Sequence, residues 1–394
     1  MSEPKTGDRP HFPKRENESA LSDSRNEKCG LSPVFRVIDT GIRDGRRQIA
    51  FDQALIEGRK AGTIPDTIRF LRFPPTALIG RHQALSREVR VDYCRANGIG
   101  LVRRITGGGA IYFDEGQLGW SLVFDRASLG IASLGDLARE ICEAAAAGLS
   151  TLGVDARYRP RNDIEVGGRK LSGTGGFFDG DTLFYQGTVL VDLDPSRMVA
   201  ALRVPEAKLA KRGLDSAARR VVTLRELLGE APSIERVQQA LLDGFAERLG
   251  ITPRRGSIDP AEEALADRLH DEEIGSDAFV AEIDDPRDGE DVLSGSHTGP
   301  GGTITAYLRL EGSRDERIRE ALLTGDFFVT PPRVVLDLEA ALRGVPAEDA
   351  PAAVEAFFAR AKVSLLTVAP SDFAAAIAAA LRHENRSGRP AHVG

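Results

Sequence analysis

The stretch Arg103-Arg104-Ile105-Thr106-Gly107-Gly108-Gly109-Ala110-Ile111-Tyr112 sets two adjacent guanidinium groups directly before three consecutive glycines, between apolar residues of strand type. Lacking Cβ atoms, Gly107 to Gly109 reach positive φ and let backbone N–H groups close on a phosphate or carboxylate, while Arg103 or Arg104 brings forked donors. A mobile surface turn has little use for two arginines set against Val102, Ile105 and Ile111. The segment therefore reads as an anion-holding loop between buried strands. It is no Walker-type phosphate loop, because Ala110-Ile111 follows the glycines where a Lys-Ser or Lys-Thr pair would stand.

Strands are expected on both sides of the loop, at Gly98 to Arg104 and Leu118 to Phe124, with another at Ile68 to Phe73 ended by Pro74-Pro75. Helical spacing marks a first helix carrying Ile49, Leu55 and Ile56, and an Ala-rich one from Leu134 to Leu152 with Gly153 as its cap. Gly167-Gly168, between Ile164-Glu165-Val166 and Arg169-Lys170-Leu171, is a two-residue hairpin signal that sets Val166 against Arg169 and Glu165 against Lys170. Strand alternation then places Asp163, Glu165, Lys170 and Ser172 on one face, with Ile164, Val166 and Leu171 toward the core. One lysine thus stands on a rigid hairpin among carboxylates.

A chain of 394 residues has room for two domains or more. Residues 1–32 carry too little apolar surface to offset the entropy of ordering them, and predict a disordered leader. A first domain is expected over 33–250, its last helices opened by Thr223 and Ser233 and the final one stopped by Gly250. Pro253, Gly256 and Pro260 suggest a linker over 251–264, and a smaller second domain is expected over 265–394, with a glycine-rich loop from Ser294 to Gly302.

The net charge of −7 argues against a general nucleic-acid binder and leaves small anionic ligands in play. Cys29, Cys94 and Cys142 are scattered, with no C-x-x-C pair, so neither a disulfide framework nor a thiolate metal site is indicated. The start is polar and no apolar run approaches membrane-spanning length, which predicts a cytoplasmic protein with no membrane partner.

Three blocks together carry a family resemblance: Ile79-Gly80-Arg81-His82-Gln83 with Glu88, the arginine–glycine stretch with Asp114 and Gly116, and Asn162-Asp163-Ile164 through Gly168-Arg169-Lys170-Leu171-Ser172-Gly173. In order and spacing the chain resembles the lipoate–protein ligases, whose fold is shared with biotin ligases and with lipoyl or octanoyl transferases. Gln186 to Leu190 and Lys208 to Leu224 extend the likeness to roughly residues 34–250. Gly325-Asp326-Phe327-Phe328, Asp337-Leu338-Glu339 and Leu342-Arg343-Gly344 are similar to the accessory domain of such ligases. The resemblance implies an α+β protein, a mixed-sheet catalytic domain followed by a smaller α+β accessory domain.

It further implies that lipoate is joined to the α-phosphate of ATP and then passed to a lysine on a lipoyl carrier. That carrier could be a 2-oxoacid dehydrogenase domain, the glycine cleavage H protein, or a sulfur-metabolism lipoate-binding protein. Lys170 would be catalytic, touching the lipoate carboxyl and the α-phosphate. Arg104, Gly107, Gly108, Gly109, Ala110, Ile111, Tyr112, Asn162, Asp163, Gly80 and Arg81 would bind nucleotide or lipoate, with Asp163 also toward Mg²⁺. Leu71, Phe73 and Leu78 suit either the core or a dithiolane pocket, and Arg157, Arg159, Arg161, Arg169, Lys208, Lys211 and Arg212 suit an acidic carrier surface.

The chain departs from the family pattern at Phe113, where histidine is usual, at Gln117, where asparagine is common, and at the looser run Thr174-Gly175-Gly176. A transferase of the same fold would need a thiol; Asp155 to Arg161, where some cysteine-dependent relatives carry it, holds none. A non-catalytic lipoate-binding module is the remaining alternative, with Phe113 as its main support.

Overall fold

The computed structural model describes residues 32–131, 133–160, 162–203, 220–283, 291–314, 316–365 and 367–383. The leader expected over 1–32 lies, apart from Ser32, outside the described residues, as do Arg161, Lys208, Lys211 and Arg212.

Strands β1 (Val34–Ile42), β2 (Thr67–Arg72), β3 (Thr76–Ile79), β4 (Gly100–Arg103), β5 (Ile111–Phe113), β6 (Gln117–Asp125), β7 (Arg157–Arg159), β8 (Asp163–Val166), β9 (Arg169–Asp179), β10 (Thr182–Leu190) and β11 (Thr252–Arg255) build two sheets. The larger has eight strands in the order β11-β1-β2-β6-β10-β9-β8-β7, and the smaller runs β4-β3-β5. Both are mixed: β1 pairs parallel with β11 and β2, and β3 parallel with β4, whereas β2–β6, β6–β10 and β10–β9 are antiparallel. Strand β6 is central, and its residues from Gln117 to Phe124 are all buried, which is why its sequence reads as a nearly continuous apolar run.

Helix α1 (Gly45–Lys60) is capped by the Asp44 side chain and packs Ile49, Phe51 and Leu55 into a core with Leu71, Leu78 and Phe113. On a second core, α2 (Leu134–Ser150) and α3 (Ile234–Leu249) bury Leu137, Ile141, Leu241 and Phe245 with Trp120 and Phe124. Both start at the expected kind of residue, since the Ser133 and Ser233 hydroxyls accept backbone N–H groups of the first turn.

The expected linker over 251–264 is absent. Thr252–Arg255 is β11, an edge strand of the large sheet, and α4 (Pro260–Leu269) packs Leu265 and Ala266 into the core of α1. The prolines explain the misreading. Pro253 sits where an edge strand tolerates a missing N–H, and Pro260 occupies the first turn of a helix, capped by Asp259, where its N–H would go unpaired anyway. Residues up to about 280 belong with the first domain, because Phe279 lies in the same core.

The accessory part is an antiparallel meander, β12 (Val292–Gly299), β13 (Gly302–Glu311) and β14 (Arg317–Gly325), with β15 (Val329–Thr330) paired to β16 (Ser364–Leu365). Helices α5 (Val334–Leu342), α6 (Ala350–Arg360) and α7 (Pro370–His383) share its core, with Phe327, Phe373 and Ile377 fully buried. Ser294 to Gly299, expected as loop, is strand: Gly295 lies directly under α7, where a Cβ would come within 2.0 Å of the Ala380 nitrogen. No described helix is long and apolar enough to cross a membrane.

Candidate active site

A cavity of about 380 Å³ lies across the large sheet. Its floor crosses four neighbouring strands, with Leu71 on β2, Gly119 and Trp120 on β6, Gln186 and Gly187 on β10, and Gly173 to Gly175 on β9. The small sheet and the glycine loop roof it, through Phe73, Leu78, Phe113 and residues 107–111. Pro300 to Gly302, Asp326, Phe328 and Thr367 of the accessory part close one side.

The hairpin behaves locally as its turn residues dictate. Gly167 and Gly168 take φ of 57° and 78°, pairing Val166 with Arg169 and Glu165 with Lys170. Beyond that pair the register slips at Leu171, so Ser172 faces Ile164 and both are fully buried. The alternation that placed Ser172 beside Lys170 is therefore corrected by one β-bulge, which leaves Asp163 opposite Gly173. Gly173 matters for its missing side chain, since a Cβ there would come within 2.7 Å of the Lys170 Cε and Nζ. Lys170 thus lies along its own strand to an ion pair with Asp163 at 2.7 Å, and both residues line the cavity.

The two arginines have separate jobs. Arg103 is fully buried and donates to the carbonyls of Gly80, Arg81, Gln83, Phe279 and Val280, so it fastens the residues before 283 to the small sheet. Arg104 lines the cavity and donates to the carbonyls of Leu78, Gly107 and Gly109 at 3.1, 3.2 and 2.8 Å. Among the described residues no carboxylate pairs with Arg104, and burial alone pushes its guanidinium down to about 10. A buried cation answered only by neutral carbonyls is a strong complement for an anion brought in by a ligand.

The glycine loop is held from the accessory side as well. The Gly108 N–H donates to the Phe327 carbonyl at 3.2 Å, and the Phe328 ring lies where a Gly108 Cβ would meet it at 2.7 Å. Gly108 has φ of 93°, so both its conformation and its neighbour demand glycine. Gly325 donates to the His82 carbonyl at 3.0 Å, and the buried His82 ring stacks on Phe327 at 4.9 Å. Burial, with the charges of Arg81 and Arg103, pushes His82 down to about 3, so this contact is made by a neutral ring.

Of the residues expected at the site, Arg104, Gly107, Gly108, Gly109, Ala110, Ile111, Asn162, Asp163 and Lys170 border the cavity together. Tyr112, Gly80 and Arg81 do not. Strand alternation turns Tyr112 away from its neighbours Ile111 and Phe113, into the apolar cluster of Ala77, Ile79 and Cys94. Gly80 packs under the Gly108 carbonyl, and Arg81 pairs with Glu282 above the Phe279 ring. Asn162 lines the cavity but spends its amide on the Thr174 carbonyl at 2.9 Å. Leu71, Phe73 and Leu78 belong to both the core and the cavity wall, and the Phe113 ring packs tilted against Phe73 at 4.8 Å.

A family model described as the lipoyl protein ligase A/B catalytic domain matches residues 44–246. The chain belongs to this lipoyl protein ligase A/B family. Its catalytic part therefore serves the ligation or transfer of lipoyl-type groups. An octanoyltransferase LipM from Kyrpidia tusciae is 31% identical over 260 residues, spanning 60% of this chain and 94% of that protein. The bi-partite lipoate protein ligase of Thermoplasma acidophilum, solved in a study of an archaeal lipoylation system that includes its E2 lipoyl domain, is 30% identical with a TM-score of 0.58. That match covers 65% of this chain and 99% of the other. A crystal structure of lipoate-protein ligase A bound with ATP is 29% identical, TM-score 0.56, over 63% of this chain and 99% of that one. The α+β, mixed-sheet architecture expected from the sequence is thus the architecture of the family.

Asp52 and Asp326 are cavity-lining carboxylates that the sequence reading missed. Asp52 had a signal: one acidic residue on the buried face of α1, three positions after Ile49, answered by one arginine, Arg69, in the otherwise apolar run Ile68 to Leu71. Phe328 stood in the quoted accessory motif, but nothing local tells that it reaches the glycine loop.

Proposed function

We propose that the chain is an ATP-dependent lipoate–protein ligase, forming lipoyl-AMP and passing the lipoyl group to a lysine of a lipoyl-carrier protein. The observation that carries this reading is the pairing, in one cavity, of an apolar trough with Lys170 and a buried Arg104 that has no carboxylate partner among the described residues. In the first step a carboxylate oxygen bonds to the α-phosphorus as the bond to pyrophosphate breaks. Two anions must meet, so cations fixed beforehand lower the barrier. Lys170 leaves Asp163 to bridge the acid and the α-phosphate, while Arg104 holds the glycine loop and adds positive potential. In the second step the carrier amine attacks the acyl carbon, the bond to AMP breaks, and Lys170 offsets charge on the carbonyl oxygen.

No group of three or more candidate metal-ligating side chains occurs among the described residues, so nothing here suits a resident ion held by protein alone. Asp163 would fit only as a single carboxylate toward Mg²⁺ that arrives on the nucleotide phosphates, where the ion would screen their charge. The solved Thermoplasma relative was studied with an E2 lipoyl domain, which supports a lipoyl domain as the carrier.

The likeness to an octanoyltransferase favours a second reading, acyl transfer through a cysteine thioester without ATP. Against it, no described cysteine lines the cavity. The nearest approach is Cys142, fully buried behind Thr174, its Sγ 3.2 Å from both the Thr174 Oγ1 and the Tyr185 Oη. Burial pushes that thiol above its usual range, the wrong direction for a nucleophile. Pyrophosphate release from ATP, assayed without carrier against lipoate, octanoate, biotin and no acid, separates the readings. Lipoate-dependent release is expected. Acyl transfer from an octanoylated carrier that is lost in Cys142→Ser, with no pyrophosphate, would replace the ligase with the transferase.

A further inference from the structure

On the α1 and β2 side of the cavity, three strands across the sheet from the β9 strand of Lys170, the wall is not wholly apolar. Asp52 borders the cavity from α1 although only 1% of it is exposed, and Arg69 on β2 behind it is wholly buried. Arg69 spends its donors inside the protein, on the Asp52 Oδ1 at 2.6 Å, the Gln48 carbonyl at 3.1 Å, the Gln48 side chain and the Thr40 hydroxyl at 3.1 Å. Its guanidinium also lies over the Phe51 ring, 4.7 Å from the centroid. The Asp52 carboxylate is held at Oδ1, by Arg69. Ile49, Leu71 and Phe73 line the same cavity.

A carboxylate that keeps one oxygen on Arg69 can offer the other to a donor on an occupant of the cavity. The position says where on the occupant that donor belongs. Strands β2 and β9 are three steps apart in the sheet, roughly 14 Å at usual strand spacing. An acid whose carboxyl meets Lys170 therefore brings the end of a medium-length acyl chain toward Asp52.

Resting on the ligase reading, we propose that Asp52, held by Arg69, is a specificity-determining residue that reads the distal end of the acyl chain and favours a hydrogen-bond donor there. Within the lipoyl class this selects the reduced dithiol, whose S–H groups donate, over the cyclic disulfide and over octanoate, which do not. Burial lifts Asp52 to about 6 against the pull of Arg69, so at neutral pH it stands as a carboxylate, the stronger acceptor. Arg69 is a positioning residue and touches no substrate.

The test is calorimetric binding of dihydrolipoate, lipoate and octanoate to the full chain, under reducing conditions for the dithiol, with pyrophosphate release measured on the same acids. Wild-type protein is expected to bind the dithiol at least about tenfold more tightly than octanoate, the scale of one hydrogen bond to a charged acceptor. Asp52→Asn, which keeps an oxygen for Arg69 and presents an amide to the cavity, should bring the dithiol-to-octanoate affinity ratio to about one. Because it also leaves the buried Arg69 without its counter-charge, the melting temperature is expected to fall, and the ratio is read on the folded protein. Equal wild-type affinities for dithiol and octanoate would overturn the proposal, as would an unchanged ratio in Asp52→Asn. The wild-type comparison needs no variant to fold. Selective binding of the dithiol with no pyrophosphate from any acid would leave the selectivity standing and sink the ligase reading instead.

Discussion

Lys170 is positioned as much by what is missing beside it as by what is present. Its ammonium lies over Gly173, and a methyl group at that position would come within 2.7 Å of its last two atoms. Because those atoms end a flexible side chain, Gly173→Ala should shift the ammonium and leave the fold alone. A displacement of about 1 Å at a reacting centre costs up to about 100-fold in rate. Gly173→Ala is therefore expected to lower turnover in acid-dependent pyrophosphate release by roughly 10- to 100-fold, with the melting temperature within about 2 °C of wild type; unchanged turnover would remove Lys170 from the reaction. This residue scale was only half legible in the sequence. The Gly167-Gly168 turn announces itself locally, so Glu165 opposite Lys170 followed at once. The bulge at Leu171 has no such signal; Asp52 and Arg69 each stand out as a charge in an apolar run, but nothing local pairs them across the 17 residues between helix and strand. Pairs of that kind are set by packing between elements, and period or turn chemistry does not encode them.

At the scale of elements, the sequence foretold helices by their caps and strands by their apolar runs, and failed where proline serves two purposes. Pro253 and Pro260 read as breakers, yet one stands on an edge strand and the other in a first helical turn. The accessory meander carries its own titratable element contact. Glu339 on α5 accepts the Leu323 N–H of β14 at 2.7 Å, and burial raises its carboxyl to about 7 against that bond and the Arg343 charge. The folded state therefore holds a proton that the unfolded chain releases near its ordinary pKa of 4.5. Stability contributed by this group is full below about pH 4.5 and is lost as pH rises through about 7. Glu339 is only half-buried, so the loss is on the order of 1–2 kcal/mol after solvent screening. Glu339→Gln keeps the acceptor and removes the titration. Its melting curve should exceed that of wild type at pH 8 and converge with it at pH 4.5; parallel pH profiles would contradict the assignment.

Across the whole molecule, one trough joins three parts that the chain separates widely: α1 with β2, the hairpin of β8 and β9, and the connections between the accessory strands. Asp52 and Phe328 both border the cavity although they are far apart in sequence. The accessory part meets the glycine loop through backbone as well as rings, with Phe327 accepting from Gly108 and His82 accepting from Gly325. Both partners of each bond stood in blocks that resembled the family, yet their contact was invisible until the fold brought them together. The resemblance named the chemistry; the geometry adds a buried Arg104 with no carboxylate partner among the described residues, and the Asp52 carboxylate on the wall of the same cavity.

The most direct measurement is mass-spectrometric detection of acyl-AMP after mixing the full chain with ATP and lipoate in the absence of any carrier, beside the Lys170→Ala variant. Lipoyl-AMP on the wild-type protein, discharged when a lipoyl domain is added and missing from a folded Lys170→Ala, is the expected result. No acyl-AMP on the wild type, or equal amounts on both proteins, would contradict an adenylate-forming ligase that works through Lys170.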